Sequence, residues 1–310
     1  MGEASLITVI IPVYNRSSIL PRAIESVQKQ HFQQWTLLIV DDGSTDDTIA
    51  VAQQYERDAR VRVLQMPRNG GAAAARNFGI RSASSPYIAL LDSDDMYHPD
   101  FLQYSMDALS RAEASIGFSY TGVGVLQQSD MGTATSAQVW KLPEQYKSHK
   151  RPYLYQLQVG TAAGILLRRE VFDKVGFFDE QLRAAEDTDW FIRASEFYQG
   201  LPVPYTLIFK DNLVAERLTT NYKRNAEAYA SIIHKNQELI EASAFLTHRW
   251  YYKAMWLNFY SGEKSIARQY YEKLKQKQLA SMKTSFTYAA GMLLPLSWFI
   301  GLHKKLASLK

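Results

Sequence analysis

Residues 87–100 read YIALLDSDDMYHPD, an apolar run that ends on Asp92, Asp94 and Asp95. Crowding three carboxylates costs free energy unless something cationic offsets it. The segments before this run show where it belongs. LITVIIPV (6–13), WTLLIVDD (35–42) and VRVLQ (61–65) are strand-like and apolar on both faces. Helical stretches separate them, at about 17–30, 46–58 and 72–84. Strands of this kind alternating with helices predict an α/β fold, with a mainly parallel sheet flanked by helices. In such sheets ligands bind beyond the carboxyl ends of the strands. Those ends carry Tyr14, Asn15 and Arg16, then Asp41 and Asp42, then Asp92, Asp94 and Asp95, so the acids should converge on one edge.

The remaining sequence sets the boundaries. A chain of 310 residues with 46% hydrophobic content has room for one sizeable α/β domain and a smaller appendage. From about 114 to 150 the pattern loosens into Gly, Ser, Thr and Gln, which predicts short strands and a loop. GTAAGILLRREVFDKVGFFDE (160–180) restores a strand, a short helix and a turn. EDTDWFIRASEFYQ (186–199) reads as an amphipathic helix with Trp190, Phe191, Ala194 and Phe197 on its apolar side. Beyond Asn221 the chain reads as consecutive helices. The expected division is therefore residues 1–220 and a helical C-terminal region, 221–310. Within the latter, the apolar core 286–302 is slightly short for a spanning helix and is broken by Pro295, with Trp298, Lys304 and Lys305 on its flank. An interfacial, membrane-associating segment at 286–305 and a helix packed on protein both fit.

Composition removes several functions. The net charge of +4 is spread among interspersed acids and bases, so nucleic acid is not the expected partner. Without cysteine there is no disulfide, thiolate nucleophile or Cys-ligated metal. The six histidines form no HExxH, and no GxSxG is present, which argues against zinc and serine hydrolase chemistry. Glu3 stands where a signal peptide would carry a basic residue, so export is not expected.

Asp92 and Asp94 are two residues apart, and in an extended segment both project to one side. Paired hard oxygens suit Mg2+ or Mn2+ carrying a substrate phosphate. Acids that merely cap the helix after Pro99 would account for Asp95 or Asp100 but not for this pair. An EF-hand loop fails, because Met96 takes its fifth position and no glycine follows. Asp41 and Asp42 head DDGSTDDT, where turn chemistry explains Gly43 to Asp47 but not an acid pair after a buried strand. Gly70 and Gly71 precede a helix whose N-terminal amides could face an anion, without a P-loop or dinucleotide fingerprint. Glu186, Asp187 and Asp189 suit the positive end of a helix, and also a general base across a cleft.

Taken in order, VIIPVYNR, VDDGSTDDT, GGAAAARNFGI, ALLDSDD, GILLRREVFDKVGFFDE and EDTDWFIR resemble glycosyltransferase family 2, over roughly the first two hundred residues. The resemblance implies a Rossmann-like GT-A domain over 1–220, and an inverting hexosyltransferase using a nucleotide-sugar donor, with UDP-sugar favoured. It implies that Pro12, Tyr14 and Arg16 lie beside the base, with Asp42 accepting from the uracil ring and Asp41 nearby. Arg76 would approach the nucleotide or its phosphates. Asp92 and Asp94 would form the DxD motif, with Asp94 coordinating Mn2+ or Mg2+, Asp92 closer to ribose and sugar, and Ser93 in the donor-binding set. Asp187 would be the catalytic base and Glu186 an acceptor-binding residue. Many relatives carry a His a little after an Arg downstream of the base. Here Arg217 is present, but Thr219 stands near the position of that His. The acceptor implied is a glycan or lipid-linked molecule of bacterial polysaccharide or cell-envelope biosynthesis, and the place is cytoplasmic, peripheral on the inner face of the membrane. The competing readings are a nucleotidyltransferase and a noncatalytic nucleotide-sugar-binding module.

Overall fold

The computed structural model describes residues 5–126, 134–138, 164–211 and 221–308. The described residues divide into two compact units, the first holding those up to Asp211 apart from residues 183–185, which group with the second.

The first unit is built on a nine-stranded sheet. β1 (Ile7–Val13), β2 (Trp35–Asp41), β3 (Val61–Gln65) and β4 (Tyr87–Leu90) pair in parallel in the order β3-β2-β1-β4. Every residue of β1 is buried, which is why that segment reads as a continuous apolar run. Helices α1 (Leu20–Gln28), α2 (Thr48–Gln53) and α3 (Ala72–Ser82) make the connections. Past β4 the ladder changes character. After the short β5 (Asp95–Tyr97) and α4 (Phe101–Ser110) come β6 (Ile116–Leu126), β7 (Ala134–Gln138), β8 (Ile165–Arg168), α5 (Val171–Val175), α6 (Glu186–Ala194) and β9 (Gln199–Asp211). β8 lies antiparallel between β4 and β6, β6 pairs in parallel with β9, and β5 is antiparallel to β9. The expected parallel sheet is thus the half that carries the first four strand ends, and the other half is mixed. The core joins Ile7, Val9 and Ile11 to Leu20, Ile24, Trp35, Leu37, Tyr97 and Phe101.

The second unit is helical: α7 (Tyr222–Lys235), α8 (Gln237–Glu241), α9 (Ala244–Tyr260), α10 (Lys264–Gln276), α11 (Met282–Leu293) and α12 (Leu296–Ser308). Side chains of Asn221, Ser243 and Ser281 cap α7, α9 and α11 by accepting a backbone N–H three residues on. α9 is the centre and packs against α7, α10, α11 and α12. It buries Trp250, Tyr251, Met255 and Phe259. Pro295 separates α11 from α12, and among the described residues no helix is long and apolar enough to cross a membrane.

Candidate active site

Register puts the first four strand ends on one edge. Val13 is level with Asp41, which is level with Gln65, and the amide of Leu91 bonds the carbonyl of Ile10. Pro12 is a buried member of β1, and Tyr14, just past it, is exposed on the edge. The next loop is stitched to the loop after β2. The Asn15 amide donates to Ser44 Oγ at 2.9 Å, Asn15 Oδ1 accepts from the Thr45 amide at 2.8 Å, and the Arg16 amide donates to Thr48 Oγ1 at 2.8 Å. Burial would raise the pKa of Asp46, but hydrogen bonds from Thr48 and Ser17 outweigh it and hold the group below the ordinary value. DDGSTDDT therefore braces one strand-end loop against another.

The two acids at its head do different things. Asp42 accepts from the amides of Gly70 at 2.6 Å and Gly71 at 2.8 Å. The anion at those amides is thus the chain's own Asp42, and Gly71 meets it with φ 88°, a conformation open to glycine. Asp41 Oδ2 accepts from the amides of Gly43 and Ser44, whereas its Oδ1 is buried and has no hydrogen-bond partner among the described residues.

Arg76 joins three motifs that lie far apart in sequence. It is buried in α3, and its Nη2 donates to Asp92 Oδ1 at 2.6 Å while its Nη1 donates to Glu186 Oε1. Burial alone would lower the pKa of the guanidinium, but the charges of Asp92, Glu186 and Asp187 reverse that and hold the proton more tightly than usual. Its Nε remains buried without a partner. The next residue, Asn77, clamps the turn after α5. Its amide donates to the Phe178 carbonyl at 2.9 Å, and its Oδ1 accepts from the Phe178 amide at 3.0 Å.

That turn in turn anchors α6. Trp190 Nε1 donates to the Gly176 carbonyl at 2.8 Å, and Arg193, held by Asp189 at 2.9 Å, donates to the carbonyls of Val175 and Phe177. Trp190, Phe191 and Ala194 are buried as the helical periodicity requires, whereas Phe197 lies past the helix end, exposed beneath Lys174. Ala185, just before α6, has φ 56°, a left-handed backbone costing roughly 1–3 kcal/mol for a residue with a side chain. Asp187 sits in the first turn, buried, with Oδ1 accepting from the Thr188 amide at 2.6 Å. Burial first, and then the charge of Glu186, push its pKa up to about 6 against the opposing pull of Arg76. A carboxyl group at that value is suited to taking a proton near neutral pH.

Asp92, Asp94 and Asp95 bring carboxylate oxygens within 4.8 Å of one another. Three hard oxygens fit Mg2+ or Mn2+. Within the trio Asp95 is buried at the start of β5, 4.0 Å from Lys210, while Asp92 and Asp94 stay partly open. Ser93 forms the turn between them and is also partly open. Sequence reasoning missed Asn77 and Arg193. The only signal for Asn77 was its place beside Arg76, and for Arg193 its position four residues after Asp189. Arg217 and Thr219 lie outside the described residues.

Comparison with known proteins identifies the family and the fold. The family model described as glycosyl transferase family 2 matches residues 8–176. The putative teichuronic acid biosynthesis glycosyltransferase TuaG of Bacillus subtilis (strain 168) is 40% identical over 124 residues, a match taking in 40% of this chain and 48% of that protein. The chain thus spans about half the length of this relative. Two solved structures share the fold. S. aureus TarS 1-349 in complex with UDP-GlcNAc superposes with a TM-score of 0.58 at 19% identity, over 76% of this chain and 70% of that one. The mannosyltransferase PcManGT from Pyrobaculum calidifontis, in complex with GDP-Man and Mn2+, gives a TM-score of 0.58 at 16% identity, over 93% and 80%.

Proposed function

The chain belongs to glycosyl transferase family 2, and from that premise we propose that it moves a sugar from a nucleoside-diphosphate donor, a UDP-sugar, to a hydroxyl of a glycan or lipid-linked acceptor with inversion at the anomeric carbon. The observation that carries the reading is Arg76, which holds Asp92 of the DSD segment and Glu186 beside Asp187 on one guanidinium. A donor-side acid and a base-side acid therefore meet at one residue. The family membership turns the choice away from a nucleotidyltransferase.

Asp187 is the base. The acceptor oxygen attacks the anomeric carbon as its proton passes to the Asp187 carboxylate, the bond from that carbon to the diphosphate oxygen breaks, and the nucleoside diphosphate leaves on the opposite face. A divalent cation held by Asp94 and Asp92 would offset the charge on the departing diphosphate. Glu186 orients the acceptor and, through Arg76, fixes the start of α6. At the nucleotide end, Pro12, Tyr14 and Arg16 border the base. Of the acid pair, Asp42 already accepts from two glycine amides, which favours Asp41, whose Oδ1 lacks a partner among the described residues, as the acceptor for a ring N–H once the loop opens to a ligand. The sugar acceptor belongs to a bacterial envelope polysaccharide, and the enzyme works at the inner face of the cytoplasmic membrane.

Calorimetric titration of UDP with and without Mn2+ tests the donor half without knowledge of the acceptor. Saturable, metal-dependent binding is expected. Absence of binding by UDP, GDP and thymidine diphosphate alike would sink the reading.

A further inference from the structure

The helical unit contains a helix whose faces are reversed. Along α11, Met282, Phe286, Ala289 and Leu293 form one stripe at helical spacing and are exposed, Met282 at 92% and Leu293 at 82%. The opposite stripe, Thr284, Thr287 and Gly291, is buried. The inward threonines are satisfied: Thr284 pairs with His248 at 2.9 Å, and Thr287 pairs with Tyr252 at 3.1 Å and donates to the Lys283 carbonyl at 2.8 Å. The inversion is therefore a stable arrangement with its apolar side outward. Past Pro295, Leu296 and Trp298 (70% exposed) of α12 are also exposed while Phe299 and His303 turn in, and Trp298 shares its side of the helix with Lys305, seven residues on.

Charge selects the occupant of this face. Residues 264–308 contain eight lysines and arginines and one acid, Glu272, and no acid follows it. The whole chain has 35 bases and 31 acids, so the remainder holds 27 against 30. The positive excess is thus concentrated where the apolar stripe is exposed, and Lys283, Lys304 and Lys305 are themselves exposed. A second copy docking here by a two-fold axis would bring two basic faces together. An acidic surface with an apolar interior meets both features, and tryptophan with flanking lysine suits the boundary between headgroups and acyl chains.

We propose that the outward face of α11 and α12 binds an anionic lipid bilayer, with Met282, Phe286, Leu293, Leu296 and Trp298 entering the interfacial layer and Lys283, Lys304 and Lys305 meeting acidic headgroups. The proposal deepens the membrane location given under the proposed function and rests on it. The test is co-sedimentation of the full chain with phosphatidylcholine vesicles and with vesicles also containing phosphatidylglycerol, with UDP titration of every variant. The wild type should pellet with the anionic vesicles and weakly with the neutral ones. Leu293→Ser with Trp298→Ser should weaken this by roughly tenfold or more. Lys304→Glu with Lys305→Glu should erase the anionic preference, at roughly fivefold per lysine. UDP binding should be unchanged in both variants, and absence of UDP binding by the wild type with its vesicle binding intact would fault the donor reading alone. No vesicle binding by the wild type, or binding indifferent to either double variant, overturns the proposal. A dimer that the Leu293 and Trp298 changes dissociate, without lipid binding, overturns it in favour of a second copy.

Discussion

The sheet unit and the helical unit each bury a cluster of polar side chains, and they close it differently. Around His303 the groups are neutral and mutually satisfied. The ring shares hydrogen bonds with Tyr260 at 2.9 Å and Tyr252 at 3.3 Å, and Tyr252 with Thr287. Around Arg76 the groups are charged, and the guanidinium Nε is buried without a partner among the described residues. The buried polar side-chain atoms without a partner among the described residues are Trp35 Nε1, Asp41 Oδ1, Arg76 Nε and Ser105 Oγ, all in the sheet unit. Burying a charge with open hydrogen-bonding capacity is costly. A closed neutral network supports a fold, whereas an open charged one fits a place where a ligand supplies what is missing.

The hardest blow to that contrast would come from Asp187→Asn. Turnover should fall by roughly 100- to 10,000-fold while UDP affinity holds, as read by nucleotide release and calorimetry; turnover within tenfold of wild type would remove Asp187 from the base role. Next comes Asp94→Ala, which should weaken metal-dependent UDP binding by on the order of 10- to 100-fold, with chelation of the cation equivalent to the substitution.

A pH profile sharpens the electrostatic side. Because Asp187 is pushed up to about 6 and must be ionised to accept a proton, turnover should be intact above that value. It should drop about tenfold per unit below it. Arg76 opposes the rise, so Arg76→Met should move the acid limb to higher pH; an unmoved limb would show that the guanidinium does not govern the base.

The smallest effect belongs to the closed cluster. Burial, and after it the charge of Lys283, lowers the His303 pKa to about 4 from an ordinary 6.5. The unfolded chain binds this proton between those values and the folded chain does not, so stability is full above about 6.5 and is lost as pH falls toward 4. The loss should be on the order of 1–2 kcal/mol, allowing for partial solvent screening. Hydrogen exchange over residues 252–303 would register it, and His303→Phe should flatten the dependence.

The legible parts of the molecule are those where one local rule dominates. Strands buried on both faces announce themselves, as β1, β2 and β4 do, and so does an acid pair at a strand end. The full length of β6, expected only as short strands, and the whole of β9 were hidden by their own composition. IGFSYTGVGVL is broken by glycines, and QGLPVPYTLIFKD contains two prolines, both of which speak against a central strand. Their reason is a cross-strand one. A Cβ on Gly124 would lie 2.9 Å from the Phe209 ring, and one on Gly200 would run into Phe118, so each strand leaves space for the other's aromatic side chain. The site follows the same division. That Asp92 and Asp94 crowd a strand end and that Asp187 opens a helix was readable from the local pattern. That Asp42 would be occupied by Gly70 and Gly71, that Arg76 would tie Asp92 to Glu186, and that Asn77 would hold Phe178 are facts about residues 16 to 110 positions apart, which no local pattern encodes.

Those separations also fix when the site can come into being. Arg76 waits for Glu186, 110 residues downstream, and Asn77 for Phe178, 101 downstream. As the chain leaves the ribosome, the four parallel strands can assemble while the guanidinium still lacks one of its carboxylates and the loop that seats α6 does not yet exist. Until α6 has emerged and docked, the nascent domain has its strand-end acids but not Asp187, so under the proposed function competence for chemistry would come as a late step of synthesis.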